Sequence, residues 1–323
     1  MDLCFITPLE LEEVPVEEIS RLAERDDGYL WLDVPEWTDQ AARLLSRTFG
    51  FHPVALDFCH DRNPLPMVHG YADHVFLAVH RPLLVSSGHV HLIELDLFIG
   101  DRFLVSVHGP VDPMVPPEIP MDEVRETLDR MRARRIWPES PTALMHALVS
   151  LIALRQRLAV QDIAGRVAEV EGRVLLRDLT DPEATLDEMF LVRQELLAVS
   201  TTASLGREVL ARARRLLPRV TAADLELVLD LEDMLNRVDR MTNRERDVLA
   251  GVIELYRIRT DTKIMIASER LAVLAAVTLP ITAIASVYGM NVIVNQRTNT
   301  AQLGLVLLLA AVISGILLRW IKR

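Results

Sequence analysis

LAVLAAVTLPITAIASVYGMN, Leu271 to Asn291, is the stretch that decides how the rest of the chain is read. From Leu271 to Tyr288 it holds no charged residue, and a second apolar run extends from about Leu303 to Leu318. Each run is roughly 16–18 residues, enough for a helix to cross a thin or locally adapted hydrocarbon core. A short polar loop, Asn291 to Gln302, separates them. The pattern predicts a C-terminal helical hairpin with Tyr288, Gly289, Met290 and Asn291 at the exit of its first helix.

The 323 residues suit more than one unit, and the first two-thirds read as soluble. Met1 to Arg25 is acidic and lacks an apolar core, so no signal peptide is expected. Lys263 and Arg270 precede the first run, and Arg319, Lys322 and Arg323 follow the second, whereas only Arg297 lies in the loop. This asymmetry predicts a multi-pass protein of the plasma (inner) membrane with both termini cytoplasmic. Cys4 and Cys59 make no disulfide framework. The net charge of −11 disfavours nucleic acid as a partner and is compatible with divalent cations, although solubility alone explains it. With no Walker loop, no G-x-S-x-G and no triad, neither an enzyme nor an ATP-driven pump is expected, and no organic cofactor.

Upstream, short apolar runs at Leu3 to Thr7 and Tyr29 to Val34 suit buried strands, and His74 to His80 and Val90 to Phe98 read alike. Val16 to Glu24 and Gln40 to Phe49 have helical spacing, and Gly100-Asp101 reads as a hairpin turn before Phe103. Residues 1–120 are therefore expected to form an α/β domain, with the proline-rich Val111 to Pro120 as a linker. Residues 121–268 are expected to be helical: Thr142 to about Asp178, broken by Pro182, then Leu186 to about Leu217. A third helix is capped by Thr221 with Asp224 three residues on. If it runs unbroken to Tyr288 it spans roughly 100 Å at 1.5 Å per residue. The alternative is a break near Gly251. Its apolar stripe reads as Leu225, Leu229, Leu235, Val238, Met241, Val252 and Leu255. Residues 269–323 complete the hairpin. The fold class is thus an α+β membrane protein: an N-terminal α/β cytosolic domain, a long helical stalk and a C-terminal two-helix transmembrane hairpin.

Gly289-Met290-Asn291 after Tyr288, Pro280-Ile281-Thr282 in mid-helix, a second span and a basic end resemble the CorA-type two-transmembrane metal-ion transporters. Gly28 to Val34 is similar to that family's first core strand, His52 to Asp57 to its "HPLALED" segment, and Ile93-Glu94 through Val107-His108 to its strand pair. A two-helix hairpin cannot enclose a pore, and the resemblance implies a homopentamer whose first transmembrane helix lines it while the second faces lipid. It further implies Mg²⁺ as the ion, with Co²⁺ or Ni²⁺ alongside it, and Tyr288, Gly289, Met290 and Asn291 as the selectivity filter. Neutral oxygens there, the Asn291 side chain and the Gly289 carbonyl, suit an ion that dehydrates reluctantly; a plain glycine–asparagine helix cap is the other reading.

By helical spacing back from Asn291, Leu271, Leu279 and Thr282 are expected along the pore, the leucines as apolar constrictions and Thr282 as a hydroxyl. A Thr282 hydroxyl bonded back to its own helix is the alternative. Ungapped counting puts Met265 where the family carries a polar inner-pore asparagine, and the outer loop lacks the family's acids. In the family, carboxylates between cytosolic domains bind regulatory Mg²⁺; Asp230 and Glu254 fall near such positions, with a solvated helix face as the plainer reading. The eight histidines His52, His60, His69, His74, His80, His89, His91 and His108 read as surface or core residues rather than a zinc site, with His89 and His91 on one strand face. Two further functions stay open: the family's zinc-transporting branch, and a non-conducting membrane-anchored sensor or scaffold.

Overall fold

The computed structural model describes all residues except 86–89, 111, 177–181, 218–220, 290–303, 306–307, 309–310, 317–318 and 320–323, and omits the side chains of 285, 287 and 288. Met1–Val252 forms one compact unit and Ile253–Arg323 another.

The first unit is built on a seven-stranded sheet in the order β2-β1-β3-β7-β6-β5-β4. Its strands are β1 (Asp2–Ile6), β2 (Leu11–Val14), β3 (Tyr29–Val34), β4 (Met67–Gly70), β5 (His74–Leu84), β6 (Val90–Gly100) and β7 (Phe103–His108). Only β3 and β7 pair in parallel; the other pairs are antiparallel. The expected turn at Gly100-Asp101 joins β6 to β7, with Ile99 opposite Leu104.

Alternation of side chains makes two cores from one sheet. Leu30, Leu32, Phe76, Phe98 and Val105 point to the face covered by α1 (Ile19–Ala23), α2 (Asp39–Phe49) and α3 (Pro53–His60), where Leu22, Leu45, Phe51 and Leu56 meet them. Tyr29, Trp31, Leu77, Leu97 and Leu104 point to the other face. There α5 (Pro141–Leu176), α6 (Pro182–Leu216) and the start of α7 (Ala222–Gly289) contribute Leu144, Leu148, Leu210, Leu231 and Leu235. The short helix α4 (Asp122–Arg132), which the sequence reading passed over, packs Val124 and Met131 into that core. The expected linker is docked over its described residues, Asp112 to Pro120: Val115 is buried, and the Pro120 carbonyl accepts from His108 Nδ1 at 2.9 Å.

Two further expectations are corrected. Pro182 is the first residue of α6 and not a gap before it; at that position its missing N–H costs no helical bond. In α7, Leu225 and Leu229 are 39% and 40% exposed, and the inward face is carried by Val228, Leu231, Leu235 and Val238. Leucines three and four apart occur on both flanks of this helix, so spacing alone did not choose the buried one. By length and composition alone α5 could also cross a membrane, but half of its apolar window is buried in the soluble core. The apolar window of α7 is only 6% buried.

The histidines are spent on packing. His52 caps α3, accepting from Val54 N at 3.2 Å, and His69 stacks on Phe58. His80 meets the Asn63 carbonyl at 2.7 Å, and His91 pairs with Asp112 at 2.9 Å. His108 lies 3.1 Å from Asp33, which also accepts from Ser106 at 2.5 Å. His89 lies outside the described residues. Among the described residues no group of three or more His, Cys, Asp or Glu is placed to hold a metal.

Asp96 is fully buried on β6, facing Cys59 and Glu94. Burial, and then the Glu94 charge, push its carboxyl well above the ordinary range. The folded state thus keeps a proton that the unfolded chain releases once pH passes about 4. This contribution is fully present below that point and is lost as pH rises toward the folded value. Asp96→Asn needs no such proton. It is expected to raise the melting temperature of the full chain by a few degrees at pH 8, with the gap narrowing toward pH 5. A pH-independent gap in thermal unfolding would remove the buried proton as the cause.

Candidate functional site: the membrane end of the long helix

The residues of interest in the second unit sit on α7, a single helix of 68 residues. Its start is held by a reciprocal cap: Asp224 N–H donates to Thr221 Oγ1 at 3.1 Å, and Thr221 N–H donates to Asp224 Oδ2 at 3.1 Å. The helix passes through Gly251 without interruption and carries Pro280 in its interior. No acidic or basic residue lies in α7 beyond Arg270, so nothing there resists an apolar surrounding.

Met265, Leu271 and Leu279 are each 66% exposed within the single chain, and Thr282 is exposed. At about 100° per residue, Thr282 and Gly289 project within about 20° of Leu271 and Leu279 within about 80°, while Met265 lies about 120° away. One face of α7 therefore gathers Leu271, Leu279, Thr282 and Gly289, and Met265 stands off it. Tyr288 and Gly289 form the last turn of the helix. Met290 and Asn291 lie outside the described residues, as do Lys322 and Arg323. Arg319 is helical and exposed, as are most of the second run's described residues, 304–305, 308, 311–316 and 319; Ser314 alone is buried.

The Thr282 hydroxyl donates to the Thr278 carbonyl at 2.8 Å, and Thr278 donates to Leu274 at 2.9 Å. The back-bonded geometry leaves Thr282 Oγ1 with its proton committed and its lone pairs outward. Such an oxygen can only accept, which is the polarity that the waters around a cation require. The two readings of Thr282 are thus compatible.

The two acids singled out for regulation differ. Asp230, on α7, holds His146 Nε2 of α5 at 2.9 Å, and its side chain is 46% exposed. Glu254 is exposed. The sequence reading missed His146, since a pairing across 84 positions leaves no local signal. It also missed Ser314, whose hydroxyl donates to the Val277 carbonyl at 3.4 Å. A serine within an apolar run was the available signal.

Comparison with known proteins gives a consistent result. The family model described as "CorA-like Mg2+ transporter protein" matches residues 26–323. The putative metal ion transporter YfjQ of Bacillus subtilis is 24% identical over 285 residues, covering 87% of this chain and 83% of its own. The cobalt/magnesium transport protein CorA of Thermotoga maritima is 22% identical over 261 residues, 79% of this chain and 70% of its own. Among solved structures, the complete CorA magnesium transporter of Methanocaldococcus jannaschii superposes with a TM-score of 0.76 at 17% identity, covering 100% of this chain and 98% of its own.

Proposed function

The chain belongs to the CorA-like Mg²⁺ transporter family of membrane metal-ion transporters, and on that basis we propose that it carries Mg²⁺ passively through a pore of several copies, with Co²⁺ and Ni²⁺ as further candidates. The observation that carries this reading is α7 itself. One helix leaves the soluble core, crosses an apolar length, and ends at Tyr288-Gly289 directly before Met290-Asn291. Leu271 and Leu279 are its constrictions, Thr282 its polar ring, and the Gly289 carbonyl with the Asn291 amide its outer ion site. Residues 1–120 and 121–268 form the cytosolic domain and stalk region, residues 269–323 the pore hairpin, and both termini face the cytoplasm.

The exposed apolar face of α7 supports an assembly, because a lone hairpin gives this face only lipid and cannot surround water. A homopentamer is expected, checked by mass measurement of the purified complex in detergent. A monomer or dimer there would remove the pore reading. Transport is tested in liposomes: wild-type protein is expected to admit Mg²⁺, with Co²⁺ and Ni²⁺ competing. Zn²⁺ uptake with no Mg²⁺ uptake would favour the zinc branch.

Regulation by cytosolic Mg²⁺ at millimolar levels is proposed at subunit boundaries, with Asp230 and Glu254 as ligands. Like charges facing each other across a boundary repel, and a bound cation removes that repulsion. Asp230 already has Oδ2 engaged by His146, so Glu254→Ala is expected to weaken Mg²⁺-dependent protease protection more than Asp230→Ala. The double variant is expected to abolish it. Protection unchanged in all three would clear both residues of the role.

A further inference from the structure

Of the described residues in Ile253–Arg323, only Tyr256 and Ser314 are buried. Tyr256 is at the soluble end of this unit. Ser314 is a polar side chain at 6% exposure inside an apolar run, where most neighbours are exposed. Its hydroxyl reaches across to α7 and donates to the Val277 carbonyl.

The acceptor's position gives the contact meaning. Pro280 lies three residues further along α7. Proline has no N–H, so the Ala276 carbonyl loses its helical donor, and the ring crowds that same carbonyl. The missing N–H of Pro280 leaves a gap in the backbone ladder at 276–280, and in lipid no water completes it. Thr278 and Thr282 turn their hydroxyls to Leu274 and Thr278, on either side of the gap. Ser314 supplies a donor from the other helix to the carbonyl next to the orphaned one. Proline breaks in membrane helices bend unless neighbouring groups restrain them.

We propose that Ser314 is a positioning residue for the pore: its hydroxyl restrains α7 beside Pro280, and so the placement of Leu271 and Leu279 on one side of the proline relative to Thr282 and Gly289 on the other. The functional half of this statement rests on the pore reading above. The structural half does not. The hydroxyl–carbonyl contact is a property of the hairpin whether or not ions pass.

The test uses the full chain in detergent micelles, with hydrogen–deuterium exchange read by mass spectrometry on peptides covering residues 274–284. Ser314→Val and Ser314→Thr have nearly the same shape, and only Thr keeps the hydroxyl. Ser314→Val is expected to speed exchange about threefold, equivalent to the ~0.6 kcal/mol typical of an inter-helix hydrogen bond in a membrane protein. Ser314→Thr is expected to stay at the wild-type rate. In a Pro280→Ala background the ladder is complete, and Ser314→Val is expected to change nothing. Equal exchange for Val and Thr would overturn the proposal, as would the same threefold effect in the Pro280→Ala background. Liposome flux is recorded alongside: Ser314→Val is expected to shift the initial Mg²⁺ rate while Ser314→Thr does not. If wild-type protein passes no ion yet the exchange pattern holds, the pore reading fails and the hydroxyl restraint stands.

Discussion

Asn291→Ala is expected to reduce Mg²⁺ influx into liposomes at least tenfold while leaving the mass of the assembled complex unchanged. Mg²⁺ holds its waters tightly in near-octahedral geometry, so a site that admits it must bind the hydrated ion through neutral oxygens and release it again. In sequence, Asn291 is two residues past Gly289, the last residue of α7. In the proposed assembly its amide carbonyl, repeated around an axis, would give such a ring, and alanine has no oxygen to replace it. Few packing contacts are lost by trimming a side chain at a helix exit, which is why assembly should survive. Influx at the wild-type rate would take Asn291 out of the filter. A complex that falls apart would instead assign it to assembly.

The second large effect is expected in the soluble unit. Glu123 on α4 is 3% exposed, and its Oε1 lies 2.6 Å from Arg81 Nε of β5 and 3.2 Å from Arg155 Nε of α5. Arg81 is itself buried, and a second bond ties it to the Ile119 carbonyl at 3.1 Å. Glu123→Ala leaves a buried guanidinium without its main counter-charge, a loss of about 3–5 kcal/mol. Arg155 is partly exposed and keeps Asp122 and Glu126, so the cost falls mostly on Arg81. At about 2–4 °C per kcal/mol for a unit of this size, the melting temperature of the full chain should fall by roughly 10 °C. Glu123→Gln, which keeps a carbonyl acceptor, should lose less. A fall of under about 2 °C for the alanine variant would mean that Arg81 finds water or another carboxylate.

Elements defined by local chemistry were legible before any contact was known. β3, β6 and β7 declared themselves by apolar runs between turn residues, and the start of α7 by Thr221 and Asp224. The sequence left α7 either unbroken or broken near Gly251; the structure shows it unbroken, and Gly251 costs a long helix only about 1 kcal/mol. The short α4 was harder. Its segment, DEVRETLDRMR, is mostly charged, and its few inward residues, Val124, Thr127 and Met131, form a stripe too sparse to stand out. It exists because Glu123 and Asp122 pair with arginines from β5 and α5, which are distant in sequence.

What the sequence determined by itself is the pair of apolar runs and the end of the first at Tyr288-Gly289, the last residues of α7. A charge-free run of this length has no stable alternative to a helix in lipid, and a motif at its end needs no partner to be located. The tertiary structure decided which leucines of α7 face inward, that Asp230 is held by His146, and that Ser314 meets Val277 beside Pro280. Each of these depends on how one helix is rotated against another. Helical spacing leaves that rotation open, because residues three and four apart border two neighbouring faces, and only the packing partner selects between them.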